Sequence, residues 1–151
     1  MTVQLAEQVP AEAIAVRVPA ATWEEAITAA GDLLVACDVT VEGYTQQMID
    51  TVTQLGPYIV VAPGLALAHA RPSPVTVKKP GISIVTLAEP VDFGSGPHDP
   101  VTVIIGLAAP TTNAHLQLMG ALAEVLSNPE KMTSLREAVT TEDIRAVLVA
   151  A

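Results

Sequence analysis

Large aromatic side chains are scarce in this chain, with one Trp, one Phe and two Tyr among 151 residues. A chain of this length buries roughly 70% of the surface its unfolded form exposes. Its core must therefore be filled mainly by Ala, Val, Leu and Ile, with Trp23 and Phe93 as the few bulky pieces. Cysteine is nearly absent. A single Cys37 excludes an intramolecular disulfide, and its place in an apolar helical pattern reads as an inert core thiol. A reducing, cytoplasmic compartment is the expectation that follows. Basic residues are few as well, seven Lys and Arg against sixteen Asp and Glu, for a formal charge of −9. Such a surface repels phosphate backbones and offers no basic stripe, which argues against nucleic-acid binding. No run approaches the roughly 18 apolar residues of a membrane span, and the first residues lack the charged-then-apolar layout of a signal peptide. Membrane association would have to come through a partner.

Motifs for several chemistries are missing too. There is no P-loop, no Rossmann glycine turn and no Gly-x-Ser-x-Gly elbow, so ATP-dependent kinase and serine hydrolase readings lose their basis. The three histidines, His69, His98 and His115, have none of the close spacings of common zinc motifs, and the expectation is no metal and no cofactor. No repeat, low-complexity segment or linker interrupts the chain, which reads as one domain over residues 1–151 with no fused DNA-binding or membrane segment.

What is present alternates between two periods. Ala13 to Val18 reads as a first strand closed by Pro19. Thr22-Trp23-Glu24-Glu25 has the form of a capping box, opening a helix to about Cys37 whose apolar stripe includes Trp23, Ala26, Ile27, Ala30, Leu33 and Leu34. A second helix after Thr40 presents Val41, Tyr44, Met48, Val52 and Leu55 before Gly56 ends it. Ile59 to Val61 is a short β-branched strand broken by Pro63-Gly64, and Gly81 to Leu87 and Val101 to Leu107 are two more. Glu89 to Pro100 reads as an ordered surface loop. Thr111-Thr112-Asn113, Asn128-Pro129 and Thr140 or Thr141 each mark a helix start. Strands separated by helices predict an α/β fold, a mixed sheet covered on both faces.

His69 is the first chemical candidate, placed on a Pro/Gly-braced loop beyond the strand that begins near Tyr58. A histidine held still with its ring toward solvent suits a nucleophile. Arg71 carries a fork matched to phosphate oxygens. His115 is the second. With Thr112 as N-cap, His115 falls in a helix's first turn, where free amides and the positive end of the dipole favour an anion. The dipole would keep the ring neutral, and a local hydrogen bond to Nδ1 would leave the proton on Nε2. A strand parallel to its neighbour would bring both rings to one rim of the sheet. An imidazole is unprotonated enough at neutral pH to attack phosphorus without a separate base, and positioned donors then stabilise the transferred charge. Leu65 and Leu67 are the expected members of an apolar docking rim.

The run Gly-Pro-Tyr-Ile-Val-Val-Ala-Pro-Gly-Leu-Ala-Leu-Ala-His-Ala-Arg-Pro, residues 56 to 72, resembles the phosphohistidine segment of the enzyme IIA domains of the bacterial phosphoenolpyruvate:sugar phosphotransferase system. Within that mannitol/fructose class (type 2) it is most similar to the ascorbate-specific branch. The similarity continues through Trp23 to Ile27, Val91 to Gly94, Asp99 to Val101 and His115-Leu116. It departs at Ala68, where the family pattern has Pro, and at His98, where a polar residue such as Asn is expected; the second change would set an extra titratable ring near the site. The resemblance implies that His69 accepts a phosphoryl group on Nε2 from the phosphocarrier HPr and passes it to a cysteine of enzyme IIB, with His115 as a stabilising donor and Arg71 and Thr112 as candidate phosphoryl binders. It also implies a membrane link only through enzyme IIC and transport of ascorbate. A regulatory phosphohistidine module that signals without transport flux is the competing reading, and a homodimer is compatible with either.

Overall fold

The computed structural model describes residues 5–149. Among these residues five strands and five α-helices follow in the order β1 (Ile14–Val18), α1 (Trp23–Ala36), α2 (Gly43–Leu55), β2 (Val60–Ala62), β3 (Leu65–His69), β4 (Gly81–Val91), β5 (Val101–Ala108), α3 (Thr112–Leu126), α4 (Pro129–Glu137) and α5 (Thr141–Val149). The strands form one mixed sheet in the order β1-β4-β5-β3-β2. β1 is parallel to β4 and β3 to β5, while β4–β5 and β2–β3 are antiparallel.

The helix starts follow the side-chain chemistry of the sequence. Thr22 accepts the amide of Glu25 at 3.2 Å, and the Glu25 carboxylate reaches back to the amide of Ala21 at 3.0 Å, closing the capping box. Asn128 accepts from Glu130 and Lys131, and Thr140 from Asp143. The helices then split between the two faces. Ala26, Ile27, Ala30 and Leu34 of α1 and Tyr44, Met48 and Val52 of α2 pack with Ala66, Ala68, Val85 and Ile104 of the sheet. Leu118, Leu122 and Val125 of α3, Leu135 of α4 and Ile144 of α5 cover Leu65, Leu67, Ile84, Val103 and Ile105 on the other. One close approach needs a glycine. A Cβ on Gly106 would lie 2.3 Å from Ser83 Oγ and 3.3 Å from Ala30 Cβ, so its absence lets α1 settle on the sheet.

Residues 65–69 form a strand where a loop was expected, because Leu65 to His69 pair residue by residue with Val103 to Leu107. Leu65 and Leu67 are 0% and 1% exposed, so neither belongs to a docking rim. The strand near Tyr58 begins only at Val60, lies at the sheet edge and runs antiparallel to β3. β4 continues to Val91, into the expected loop, and α2 begins at Gly43. His98 accepts the amide of Gly64 through its carbonyl at 2.9 Å. It therefore sits at the Leu65 end of β3, opposite the end that carries His69.

Candidate functional site

Side chains alternate along β3. Leu65 and Leu67 face α3 to α5 while Ala66 and Ala68 face α1 and α2, so His69 falls on the α3 side at the strand's last position. Its register partner is Leu107 on β5, and the chain leaves β5 to start α3 a few residues later. The parallel pairing thus brings His69 and the start of α3 to one rim. Their rings meet there, with centroids 5.7 Å apart and planes 49° apart for His69 and His115.

The tautomer of His69 is set by its neighbour. Nδ1 lies 2.9 Å from the carbonyl oxygen of Leu67, which can only accept, so Nδ1 carries the proton. In the neutral ring Nε2 then holds the lone pair. The same Leu67 residue donates its amide to the carbonyl of Ile59 at 2.8 Å, which ties the turn before β2 to this strand. Tyr58 on that turn places its hydroxyl 3.4 Å from His69 Nε2, the rings edge to face at 86° with centroids 5.8 Å apart.

Behind His69, Tyr44 of α2 ties three elements together. Its buried hydroxyl donates to Leu107 O at 2.8 Å and accepts from the amide of Ala70 at 3.1 Å. Burial pushes this phenol up to about 12. Neither tyrosine stood out as a site residue in the sequence. Tyr44 followed a core periodicity and Tyr58 a strand pattern, and only the packing shows where the two hydroxyls point.

His115 is half-buried, and its Nδ1 is buried without a hydrogen-bond partner. Loss of water is the main reason its ring is held below the ordinary imidazole range, with His69 adding a smaller like-charge effect. The expected cause was the helix dipole. Instead Thr111, not Thr112, is the N-cap, accepting from Ala114 N at 3.1 Å, and His115 already bonds its amide to Thr111 O at 3.0 Å. Those two amides are taken, and the expected bond to Nδ1 is absent.

An open cavity of about 600 Å³ lies over the pair, lined by Gln47, Asp50 and Gln54 of α2 together with Tyr58, His69, Arg71 and His115. Arg71 is exposed at its wall. Thr112 is exposed as well and is not among the lining residues. Of the four predicted site residues, three converge and Thr112 does not. Cys37 is far from this chemistry in character, since burial pushes its thiol up and disfavours the thiolate. No helix among the described residues is long and apolar enough to cross a membrane.

The fold and the site together define an α/β domain that presents two packed imidazoles at the open end of a parallel strand pair. Residues 7–151 match the family model described as the phosphoenolpyruvate-dependent sugar phosphotransferase system, EIIA 2. The "Ascorbate-specific PTS system EIIA component" of Escherichia coli K12 is 39% identical over 134 residues, 88% of this chain and 86% of that protein. Among solved structures, the mannitol-specific cryptic phosphotransferase enzyme IIA CmtB of Escherichia coli superposes with a TM-score of 0.89 at 30% identity, over 99% of this chain and 100% of that one. Enzyme IIAMTL, solved in complex with phosphorylated enzyme IIBMTL of Escherichia coli, gives a TM-score of 0.81 at 26% identity, over 94% and 97%. The chain belongs to the type 2 enzyme IIA family of the sugar phosphotransferase system, whose members are phosphotransferase relay proteins.

Proposed function

We propose that this protein carries a phosphoryl group on His69 Nε2, taken from phosphorylated HPr and delivered to a cysteine of an enzyme IIB, in a cytoplasmic relay that serves ascorbate uptake. One observation carries the reading: the Leu67 carbonyl fixes the proton on Nδ1 and leaves the Nε2 lone pair at the cavity beside His115. The ascorbate assignment rests on the relative of that name.

As Nε2 forms its bond to phosphorus, the bond from the donor's nitrogen breaks and its electron pair stays with the donor. No proton has to leave His69. The proton stays on Nδ1, donated to the Leu67 carbonyl, and that hydrogen bond stabilises the cationic phosphorylated ring. When a thiolate of enzyme IIB later attacks phosphorus, the N–P electrons return to Nε2 and the ring is neutral again. The charge developing on three equatorial oxygens needs donors. His115 supplies one, because a buried N–H without an acceptor is the rarer and costlier arrangement and so its proton belongs on Nε2 and not on the orphaned Nδ1. Arg71 supplies an exposed positive charge at the wall. The whole relay fits one domain spanning residues 1–151.

Incubation with phosphoenolpyruvate, enzyme I and HPr should add one acid-labile phosphate, absent in His69→Ala, and an ascorbate-type enzyme IIB should then discharge it. Equal labelling of His69→Ala would sink the assignment. A chain that is charged at His69 but discharged by no enzyme IIB would instead act as a regulatory phosphohistidine module.

A further inference from the structure

Two rings contact His69, and only one of them, His115, has a role in the proposed relay. Tyr58 is the other. Its hydroxyl lies 3.4 Å from Nε2, which is longer than a well-made O–H···N bond, so it rests near the lone pair without being locked to it. The approach is not accidental to a floppy loop. Gly56, at φ 89°, ends α2 and turns the chain, the Val60 amide returns to Pro57 O at 3.1 Å, and the Ile59 carbonyl is gripped by Leu67. That last contact belongs to the residue that sets the His69 tautomer. The turn bearing Tyr58 and the ring bearing Nε2 are therefore referenced to one residue of β3.

We infer that Tyr58 is a second hydrogen-bond donor to the phosphoryl group: its hydroxyl gives up the Nε2 lone pair as phosphorus arrives and donates to an equatorial phosphoryl oxygen, alongside His115. This rests on the reading of His69 as the phosphoryl acceptor. A phosphorus bonded to Nε2 uses the lone pair that the hydroxyl now approaches, so that contact is given up and the hydroxyl is left beside the phosphoryl oxygens. A phenol bonding an anionic oxygen makes a charge-assisted bond, stronger than its present long contact with a neutral nitrogen. The side chain can make this adjustment, since it is 49% exposed. No proton changes owner in the process. The phenol stays neutral and the electron bookkeeping of the transfer is that of His69 alone.

Tyr58→Phe isolates the hydroxyl, because the ring that packs edge-on against His69 is kept. Loss of one preorganised donor in a dry site slows a reaction on the order of a hundredfold. Tyr58 is itself exposed, unlike the more buried His115, so about a tenfold fall is expected in the maximal rate of phosphoryl arrival from phospho-HPr. The HPr concentration giving half-maximal rate should not change, and the ³¹P resonance of the phosphohistidine should shift relative to the wild type. A merely structural role for Tyr58 would move neither the resonance nor the maximal rate in a variant that keeps the ring. Wild-type rates together with an unshifted ³¹P signal in Tyr58→Phe would overturn the inference while leaving His69 as acceptor. Absence of any His69 phosphate in the wild type would overturn both, and the two failures are distinct in the same experiment.

Discussion

His115 lies within ring contact of the proposed nucleophile, yet the two imidazoles are not equivalent. His69 has a fixed acceptor for its Nδ1 proton, whereas His115 has none and is held neutral mainly by burial. Because its folded pKa is depressed, the sign of the linkage is clear. Above the ordinary imidazole range the ring is neutral folded or unfolded and has no effect, and stability is lost as pH falls from that range to the lowered folded value, because there the unfolded chain binds the extra proton. His115→Ala should still be phosphorylated at His69 but transfer on the order of a hundredfold more slowly, and His115→Gln, whose amide still donates, should recover part of the rate. Rapid-quench transfer assays with phosphopeptide mapping check both points. A phosphate mapped to His115, or wild-type transfer by His115→Ala, would refute the division of roles.

At the scale of elements, the site depends on the join between α2 and the ends of β3 and β5. Tyr44 makes that join through one hydroxyl that serves the Leu107 carbonyl and the Ala70 amide, the residue after His69. Tyr44→Phe would strand both buried backbone groups. A destabilisation of about 1–3 kcal/mol is expected by denaturant titration, together with slower transfer as His69 loses its anchored neighbour. The phenol also gives an alkaline limit. Its pKa is raised from the ordinary 10 to about 12 in the folded chain, so stability is whole below pH 10 and is lost progressively as pH rises towards 12. Two pH units correspond to roughly 3 kcal/mol at most. The slope of stability against pH between those values should shrink in Tyr44→Phe, and an unchanged slope would assign the alkaline loss to another group. Gly106→Ala offers a second check on the same layer. The new methyl would meet Ser83 Oγ and Ala30, and an overpacking loss of about 1–3 kcal/mol should appear in thermal unfolding.

At the scale of the molecule, the proposed relay needs a surface beside His69 that successive partners can share. The expected apolar rim of Leu65 and Leu67 is inside the core. Leu55 at the end of α2 and Leu116, next to His115 on α3, are 68% and 62% exposed and belong to the elements that flank the cavity. These two are the better candidates for a small transient contact. Leu55→Asp and Leu116→Asp should each raise the HPr concentration needed for half-maximal transfer several-fold and leave the fold unchanged by circular dichroism. That is the reverse of the pattern expected for Tyr58→Phe, and unchanged kinetics in both would put the interface elsewhere.

Much of this organisation is local and was open to a reader of the sequence. Capping residues such as Thr22 and Asn128 bond their own helix starts, and the apolar stripes of α1 and α2 follow from a period of 3.6, so the helices and the α/β class could be inferred. The family was equally legible, since the run from Gly56 to Pro72 resembles a known phosphohistidine segment whatever its fold. β3 was hidden for a physical reason. Leu-Ala-Leu-Ala is buried on both faces, so it shows no alternation of polar and apolar residues, and alanine has little preference for extended backbone; pairing with β5 and β2 makes it a strand. That single fact moved Leu65 and Leu67 inside, sent His98 to the far end of the sheet and delivered His69 to the rim by β3. The hydroxyls of Tyr44 and Tyr58 and the cause of His115's neutrality were likewise beyond any local pattern. They are properties of contacts between residues distant in the chain, such as Tyr44 with Leu107, and those contacts exist only once the sheet has chosen its order.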